Sequence, residues 1–355
     1  MRVRLLDLGT VPVVESQTNY HAVAYAMTDG TPNTITLMRP EAPYVCIGFH
    51  QDFEKEIDAE FCRERGLPVL RREVGGGAVY LDGGQTFVHW IFHREDLPRR
   101  VEELYRIFIR PLVQTYREFG IAAEHRPLND IVVGGRKIGG TGIASIGQAM
   151  VVAGSLMFDF DTKSMARALK VSSEKMRDKV FQSLEEYMTT MTRELGSPPP
   201  RERVLATLVE NLRNSLGVDV EPGEMLPAER RMVGALNSRF ESAEWLEQKG
   251  GLRRPGITIK SGVLVAEGEH KAPGGLIRAT ARLKEGRIED LSISGDFTFE
   301  PAPLVGKLEM ALRGRPLDTD ELTAAVADFF VAGDVQAPGV RPEDIVAALM
   351  NMESV

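Results

Sequence analysis

The sequence predicts an α+β protein: a mixed or antiparallel sheet flanked by helices, followed by a small α+β C-terminal domain. Three observations carry this. Short apolar runs alternate with helical periodicity through the first two-thirds of the chain. Hairpin-type turns join neighbouring runs at Asp82-Gly83-Gly84, Gly134-Gly135 and Glu285-Gly286. The last third changes grain, with three strand-like runs followed by helices. At ~100–200 residues per domain, 355 residues suggest two domains. The glycine and proline signals at Lys249-Gly250-Gly251 and Pro255-Gly256 place the boundary there, giving domains 1–249 and 250–355.

Taken in order, Glu15 to Met27 reads as a helix with Tyr20, Val23, Ala24 and Met27 on one face. Thr34–Met38 and Tyr44–Ile47 are strands bounded by Pro32, Pro40, Pro43 and Gly48. Asp58 N-caps a short helix that stops at Gly66, and Leu67–Arg71 is a strand entering Gly75-Gly76-Gly77. Ala78–Leu81 and Thr86–Phe92 are expected to pair as a hairpin, and Val101–Phe119 is a helix ended by Gly120. Asp130–Val133 and Arg136–Ile138 form a second hairpin, followed by a strand at Met150–Phe158. Helices follow at Thr162–Leu169, Arg201–Leu216 and Pro227–Phe240, the first two separated by a connector at Ser197-Pro198-Pro199-Pro200. The C-terminal strands are Ile257–Ala266, Gly275–Leu283 and Arg287–Ile293, and the helices are Leu304–Leu312, Thr319–Phe330 and one after Pro342.

A net charge of -8, with 43% hydrophobic and 26% charged residues, excludes a disordered or collagen-like chain and argues against a general nucleic-acid binder. No apolar run approaches the ~20 residues that cross a bilayer. Met1–Thr10 lacks the apolar stretch of a signal peptide, so a cytoplasmic protein without membrane or nucleic-acid partners is expected. Cys46 and Cys62 have no zinc-ligand spacing.

Two glycine-dense segments concentrate the chemistry. In Arg71-Arg72-Glu73-Val74-Gly75-Gly76-Gly77-Ala78-Val79-Tyr80, glycines after a strand let backbone N–H groups approach an anion, and two arginines can supply bidentate donors to phosphate. Taken alone, the same residues also fit a tight turn beside a basic pair; they are neither a Walker A loop nor a GxGxxG. In Asn129-Asp130-Ile131-Val132-Val133-Gly134-Gly135-Arg136-Lys137-Ile138-Gly139-Gly140-Thr141-Gly142, Lys137 can act as a point charge between two anionic groups, or be a solvated hairpin residue. Asp130 could hold a magnesium ion or a polar ligand group.

These segments resemble the lipoate–protein ligases, of the superfamily that includes biotin–protein ligases and octanoyl transferases. The resemblance runs from Arg71 to Asp82, from Asn129 to Gly142 and from Gly154 onward. It includes Gly48 and Gln51, and it continues through Lys260-Ser261-Gly262-Val263, Gly286-Arg287-Ile288 and Gly295-Asp296-Phe297 into the family's C-terminal accessory domain. It implies a ligase-like catalytic domain and an ATP-dependent, AMP-forming reaction. Lipoate would become lipoyl-AMP, and the lipoyl group would pass to a lysine of a small lipoyl-domain acceptor protein. ATP, lipoate and Mg2+ would be the ligands. Arg72 with its neighbour Arg71 matches the arginine at the nucleotide phosphates, Gly75, Gly76 and Gly77 the phosphate-side loop, and Ala78 and Val79 the backbone meeting adenine. Lys137 matches the catalytic lysine between lipoate carboxylate and α-phosphate. Asn129 and Asp130 match the nucleotide and metal side, with Asp130 the metal residue, and Gly140 belongs to the same lysine motif. An apolar slot for the acyl chain would involve Val69, Val79 and Val88.

The sequence departs from the family pattern at Val74, Leu81, Gln85 and Ala153-Gly154-Ser155. His89 either compensates for the histidine missing at Leu81 or is a core or surface histidine. Two alternatives compete with the ligase. One is an ATP-independent octanoyl or lipoyl transferase, which uses a cysteine thioester and needs an activated thiol near the lysine motif. The other is a non-catalytic lipoyl-nucleotide binding protein. The segment Glu124–Leu128 before Asn129 contains no cysteine, and Arg72, Asp130 and Lys137 supply the charges adenylation needs.

Overall fold

The computed structural model describes residues 1–171, 173–253 and 263–354. Expectations at 254–262 therefore lie outside the described residues: the Pro255-Gly256 signal, the start of the Ile257–Ala266 strand and the Lys260-Ser261-Gly262 match. The chain clusters into two compact units. One comprises Met1–Cys46, Asp58–Leu70 and Val79–Ser242; the other comprises Ile47–Ile57, Arg71–Ala78 and Ala243–Val355.

The first unit is built on a six-stranded mixed sheet in the order Gly142–Ile146, Ala149–Met157, Gln85–His93, Thr34–Pro40, Arg2–Val11 and Asp219–Pro222. The first four strands are antiparallel neighbours, while Arg2–Val11 runs parallel to both of its neighbours. The helix Val101–Glu118 packs on this sheet. Its apolar residues recur at three- and four-residue intervals, so Leu104, Phe108, Leu112 and Tyr116 share one buried face. Phe108 lies 5.4 Å from both Trp90 and Phe92, between ring centres. The helix Glu15–Tyr25 ends slightly earlier than expected and buries polar residues as well as Tyr20, Val23 and Ala24: Ser16, Gln17, Thr18, Asn19 and His21 are also enclosed.

The expected hairpin of Ala78–Leu81 with Thr86–Phe92 is not formed. Val79–Leu81 instead pairs with the strand Tyr44–Ile47 in a small three-stranded sheet, through Tyr44↔Leu81, Val45↔Tyr80 and Cys46↔Val79. Gln85–His93 pairs in the large sheet. The turn between them closes locally, with the Asp82 carboxylate accepting the Gly84 N–H at 2.8 Å, but it directs the chain into a different sheet.

The Asp130–Val133 and Arg136–Gly140 hairpin forms as expected, with Gly134 and Gly135 at φ 54° and 82° in the turn. Two helices in the first unit, Glu174–Tyr187 and Met191–Leu195, have no counterpart in the sequence reading.

The second unit contains a four-stranded antiparallel sheet in the order Arg287–Gly295, Gly275–Lys284, Val263–Ala272 and Glu353–Ser354. The helices Leu304–Leu312, Thr319–Ala332 and Pro342–Met350 enclose its core, which includes Ile277, Ile293, Phe297, Phe299, Leu308 and Leu322. The segments Ile47–Ile57 and Arg71–Ala78 belong to this unit, where the His50 ring stacks on Phe297 at 4.9 Å. Both units combine sheet and helix, so the predicted α+β class is the observed one.

Candidate active site

The sequence-predicted residues fall into two groups, one in each unit. The first group is organised by the hairpin. A bulge between Ile131 and Val132 shifts the register, so that Val132 faces Lys137 while Ile131 faces Gly139 and Asp130 faces Gly140. Such a bulge re-aims a side chain without breaking the strand. The Lys137 ammonium meets Asp130 Oδ1 at 2.7 Å, with its side chain 30% exposed. The other oxygen, Oδ2, accepts from Arg126 at 2.7 Å and from the Tyr187 hydroxyl at 3.3 Å. Arg126 also donates to the Tyr187 oxygen at 2.5 Å and lies over that ring at 5.4 Å. Burial works to raise the Asp130 pKa, but Lys137 and Arg126 outweigh it and hold the carboxyl below the usual range. Asp130 is therefore ionised at neutral pH.

Gly140 sits against this pair. A Cβ there would lie 3.0 Å from both Cε and Nζ of Lys137, so any larger residue would press on the ammonium. Asn129 closes the open end of the hairpin. Its amide donates to the Thr141 carbonyl at 2.5 Å, and its own carbonyl accepts the Thr141 N–H at 2.9 Å. Beside the hairpin, the strand Ala149–Met157 is buried at both ends but half-exposed at Ala153, Gly154 and Ser155. A Cβ on Gly139 would lie 3.5 Å from the Ser155 carbonyl. Lys137 is thus a reachable cation on a rigid strand.

The second group shows that two adjacent arginines have opposite environments. Arg71 is fully buried and donates to five backbone carbonyls, those of Gly48, Phe49, Gln51, Trp245 and Leu246. Trp245 Nε1 returns a bond to the Arg71 carbonyl at 2.9 Å. That is the geometry of a structural post. Arg72 is half-buried and donates to the carbonyls of Gly75 and Gly77 at 2.9 and 2.8 Å, which fixes the glycine loop around its guanidinium. Gly76 adopts φ 91°, and its N–H reaches the Phe297 carbonyl at 3.4 Å. Gly76, Gly77 and Ala78 are half-exposed, and in the first unit Val79 is exposed at 37%.

The departures from the family pattern are accommodated by packing. Val74 is buried, and its carbonyl accepts the Phe49 N–H at 3.1 Å. Gln85 is buried and donates to the Tyr80 carbonyl at 3.1 Å. Leu81 packs against the cluster of Tyr44, Cys46 and Leu70. His89 is a core histidine. It stacks on Tyr20 at 4.0 Å and shares a 2.9 Å hydrogen bond with Thr36; burial, then His21, lowers its pKa to about 3. Val88 has no exposed surface and belongs to the main core, whereas Val69 is half-buried. Sequence reasoning missed Arg126 and Tyr187. Arg126 stands four residues before Asp130, but Tyr187 reaches the site from a helix whose position no local pattern discloses.

The first unit is an α+β unit that presents a lysine–aspartate pair on a glycine-turned hairpin, and comparison with known proteins gives its class. Residues 17–213 match the lipoyl protein ligase A/B catalytic domain, and residues 266–349 match the bacterial lipoate protein ligase C-terminus. The chain belongs to the lipoyl protein ligase A/B catalytic-domain family. It is 28% identical over 270 residues to the octanoyltransferase LipM of Kyrpidia tusciae, covering 69% of this chain and 98% of that one. It is also 28% identical over 257 residues to the lipoate-protein ligase LplJ of Bacillus subtilis, covering 72% and 73%. Among solved structures, it resembles the bi-partite lipoate protein ligase from Thermoplasma acidophilum, studied with its E2 lipoyl domain. The TM-score is 0.65 at 25% identity, covering 73% of this chain and all of that one. The family therefore includes both ligases and octanoyltransferases.

Proposed function

We propose that this protein is an ATP-dependent, AMP-forming lipoate–protein ligase, which activates lipoate as lipoyl-AMP and transfers the lipoyl group to a lysine of a small lipoyl-domain protein. The observation that carries this over the transferase reading is the state of its thiols. A thioester route needs an accessible thiolate near the lysine motif. The only two cysteines are both buried. Burial, and then the neighbouring Asp58 carboxylate, push the Cys62 thiol up to about 11. The C-terminal match, to a lipoate ligase module, supports the same reading.

In the first half-reaction a lipoate carboxylate oxygen attacks the α-phosphorus of ATP. The bond to the bridging oxygen breaks and pyrophosphate leaves. Two anions must approach, so a fixed cation offsets their repulsion and the charge that develops. Lys137 provides it, oriented by Asp130 and left accessible beside Gly140. Arg72 and the Gly75–Gly77 loop are assigned to the nucleotide phosphates, and Ala78 and Val79 to adenine. Arg71 supports the loop from within its own unit.

Asp130 is the one carboxylate of this group, and among the described residues no cluster of three metal-ligating side chains occurs. Both Asp130 oxygens are already held, Oδ1 by Lys137 and Oδ2 by Arg126 and Tyr187, so a magnesium ion would be carried chiefly by the substrate phosphates and its own waters. When bound, the ion would neutralise the departing pyrophosphate. In the second half-reaction the neutral amine of the acceptor lysine attacks the lipoyl carbonyl, the carbonyl–phosphate oxygen bond breaks, AMP leaves with its electron pair, and the nitrogen gives up one proton to solvent as the amide forms.

The test is intact-mass analysis of a panel of apo lipoyl-domain proteins incubated with the enzyme, magnesium ATP and lipoate. The expected result is a lipoyl mass gain that needs ATP and falls by roughly a hundredfold or more in rate in Lys137→Ala. Transfer from an acyl-protein donor without ATP would instead identify a transferase. Retention of lipoyl-AMP without transfer to any acceptor would identify a binding protein.

A further inference from the structure

The lysine hairpin holds a second cation whose donors are only partly used. Arg126 stands directly opposite Asp130, in the register that pairs Ala123–Arg126 with Asp130–Val133. Residues that face each other in this way bring their side chains together. The connection between them is closed by His125, whose Nε2 lies 2.8 Å from the Leu128 carbonyl oxygen. Only one nitrogen of the Arg126 guanidinium is engaged. Nη2 donates to Asp130 Oδ2 at 2.7 Å and to the Tyr187 oxygen at 2.5 Å, which occupies both of its N–H bonds. The N–H bonds on Nε and Nη1 meet no acceptor among the described residues, and the side chain is 36% exposed.

This guanidinium is held in place. It lies over the Tyr187 ring at 5.4 Å, and the end of the helix that carries Tyr187 is fixed by the hairpin itself. The Lys137 carbonyl accepts the Thr189 N–H at 2.8 Å, and Lys137 bridges to Met188 in parallel register. The local charge balance favours an anion. Among the described residues, Asp130 is the one carboxylate that pairs with either Arg126 or Lys137, so the trio keeps a net positive charge. A guanidinium stays protonated throughout the working pH range of proteins.

We propose that Arg126 is a catalytic residue that contacts the β- and γ-phosphate end of ATP and stabilises charge on the departing pyrophosphate. This rests on the ligase reading above. Lys137 and Arg126 sit on opposite oxygens of one carboxylate, a spacing that suits neighbouring anionic groups rather than a single oxygen. Lys137 is assigned to the lipoate carboxylate and the α-phosphate. Beyond its carboxylate lipoate is apolar, and adenosine is uncharged, so the anionic groups that remain are the β- and γ-phosphates. The unused N–H bonds of a planar guanidinium match phosphate oxygens. As the bond from the α-phosphorus to the bridging oxygen breaks, its electron pair passes to pyrophosphate, and a fixed cation there lowers the barrier.

Calorimetric titrations of the full chain with inorganic pyrophosphate, ATP and AMP, all without magnesium, test this. Pyrophosphate and ATP should bind saturably, with affinities that fall as salt is added. Arg126→Gln keeps an amide to face Asp130; it should weaken both by roughly tenfold or more and leave AMP within about twofold. Arg126→Lys, which restores the charge but not the fork, should recover part of the loss. Tyr187→Phe keeps the guanidinium and removes one of its acceptors. It should show the same selectivity with a smaller loss, and it carries the test if Arg126→Gln does not fold. Equal weakening of AMP and pyrophosphate would mean that Arg126 acts only through Asp130, and would overturn the proposal. So would unchanged pyrophosphate affinity in the folded variants, or no saturable binding of pyrophosphate at all. These titrations need neither lipoate nor turnover. A protein that holds pyrophosphate through Arg126, yet forms no lipoyl-AMP from magnesium ATP and lipoate, would overturn the ligase reading and leave the phosphate contact standing.

Discussion

A lysine can act as a fixed positive charge only where a partner holds its flexible stem, and Asp130 does so for Lys137 at 2.7 Å while Arg126 and Tyr187 hold the opposite oxygen. The carboxylate is thus oriented from both sides, which, on the ligase reading proposed above, reduces the reorganisation the reaction needs. The paired arginines divide differently. Arg71 fixes five carbonyls in a buried network, and Arg72 gathers the carbonyls of the glycine loop. Sequence alone gives both the same charge and the same neighbours, so it cannot tell which one faces inward. His89 is distinguished in the same way. With a folded pKa of about 3 against an ordinary value near 6.5, it stays neutral in the core while the unfolded chain takes up a proton. Its contribution to stability is therefore complete above pH ~6.5 and is lost as the pH falls toward 3, at up to ~1.4 kcal/mol per pH unit. Thermal unfolding should accordingly show a shallower fall in Tm between about pH 6.5 and pH 4 in His89→Gln than in the unsubstituted protein. Parallel acid limbs would place the protonation elsewhere.

At the level of elements, the helix Glu15–Tyr25 shows how a polar sequence can be buried. The Tyr44 hydroxyl accepts from Ser16 Oγ and from Gln17 Nε2, both at 2.7 Å. Tyr44→Phe would leave the Gln17 amide without that acceptor in an enclosed space, while the Ser16 hydroxyl keeps the Val13 carbonyl at 2.6 Å. The expected cost is about 1–3 kcal/mol, measured as a lowered denaturation midpoint with an unchanged slope in urea. The elements legible in the sequence are those fixed by neighbours in the chain. The 130–140 hairpin follows from a Gly-Gly turn between alternating strands, and the amphipathic helix Val101–Glu118 from its repeating apolar face. What was not legible depends on distant partners. Val79–Leu81 and Gln85–His93 carry the signature of a hairpin, yet each finds a better-matched edge in a different sheet. The helix Glu174–Tyr187 has mostly charged and polar residues, so its periodicity was faint, although it supplies the tyrosine that holds Asp130. The lysine motif itself could be read because its residues are contiguous; the clamp around it could not.

Across the whole molecule, each unit closes its own core around a sheet, and the second also takes in segments 47–57 and 71–78, which lie far from Ala243–Val355 in sequence. Such long-range assembly is why the segment leading into the glycine loop is anchored by residues 174 and 175 positions away, as in the Arg71 bonds to Trp245 and Leu246. The chain's overall chemistry then turns on whether acyl transfer passes through sulfur. Cys46 is fully buried in the strand Tyr44–Ile47, and Cys62 is buried on the helix Ala59–Glu64. Neither thiol is presented as a nucleophile, so both act as small apolar side chains. On the proposed ligase reading, a Cys46→Ala, Cys62→Ala double variant should therefore retain ATP-dependent lipoyl transfer within about twofold of the unsubstituted chain, with some loss of thermal stability from the removed sulfur atoms. Transfer is scored by intact mass on the same acceptor, at a temperature well below both unfolding midpoints. Abolition of transfer in a variant that remains folded would mean that a thioester carries the acyl group after all. Retention would leave Lys137 and the nucleotide as the means of activation.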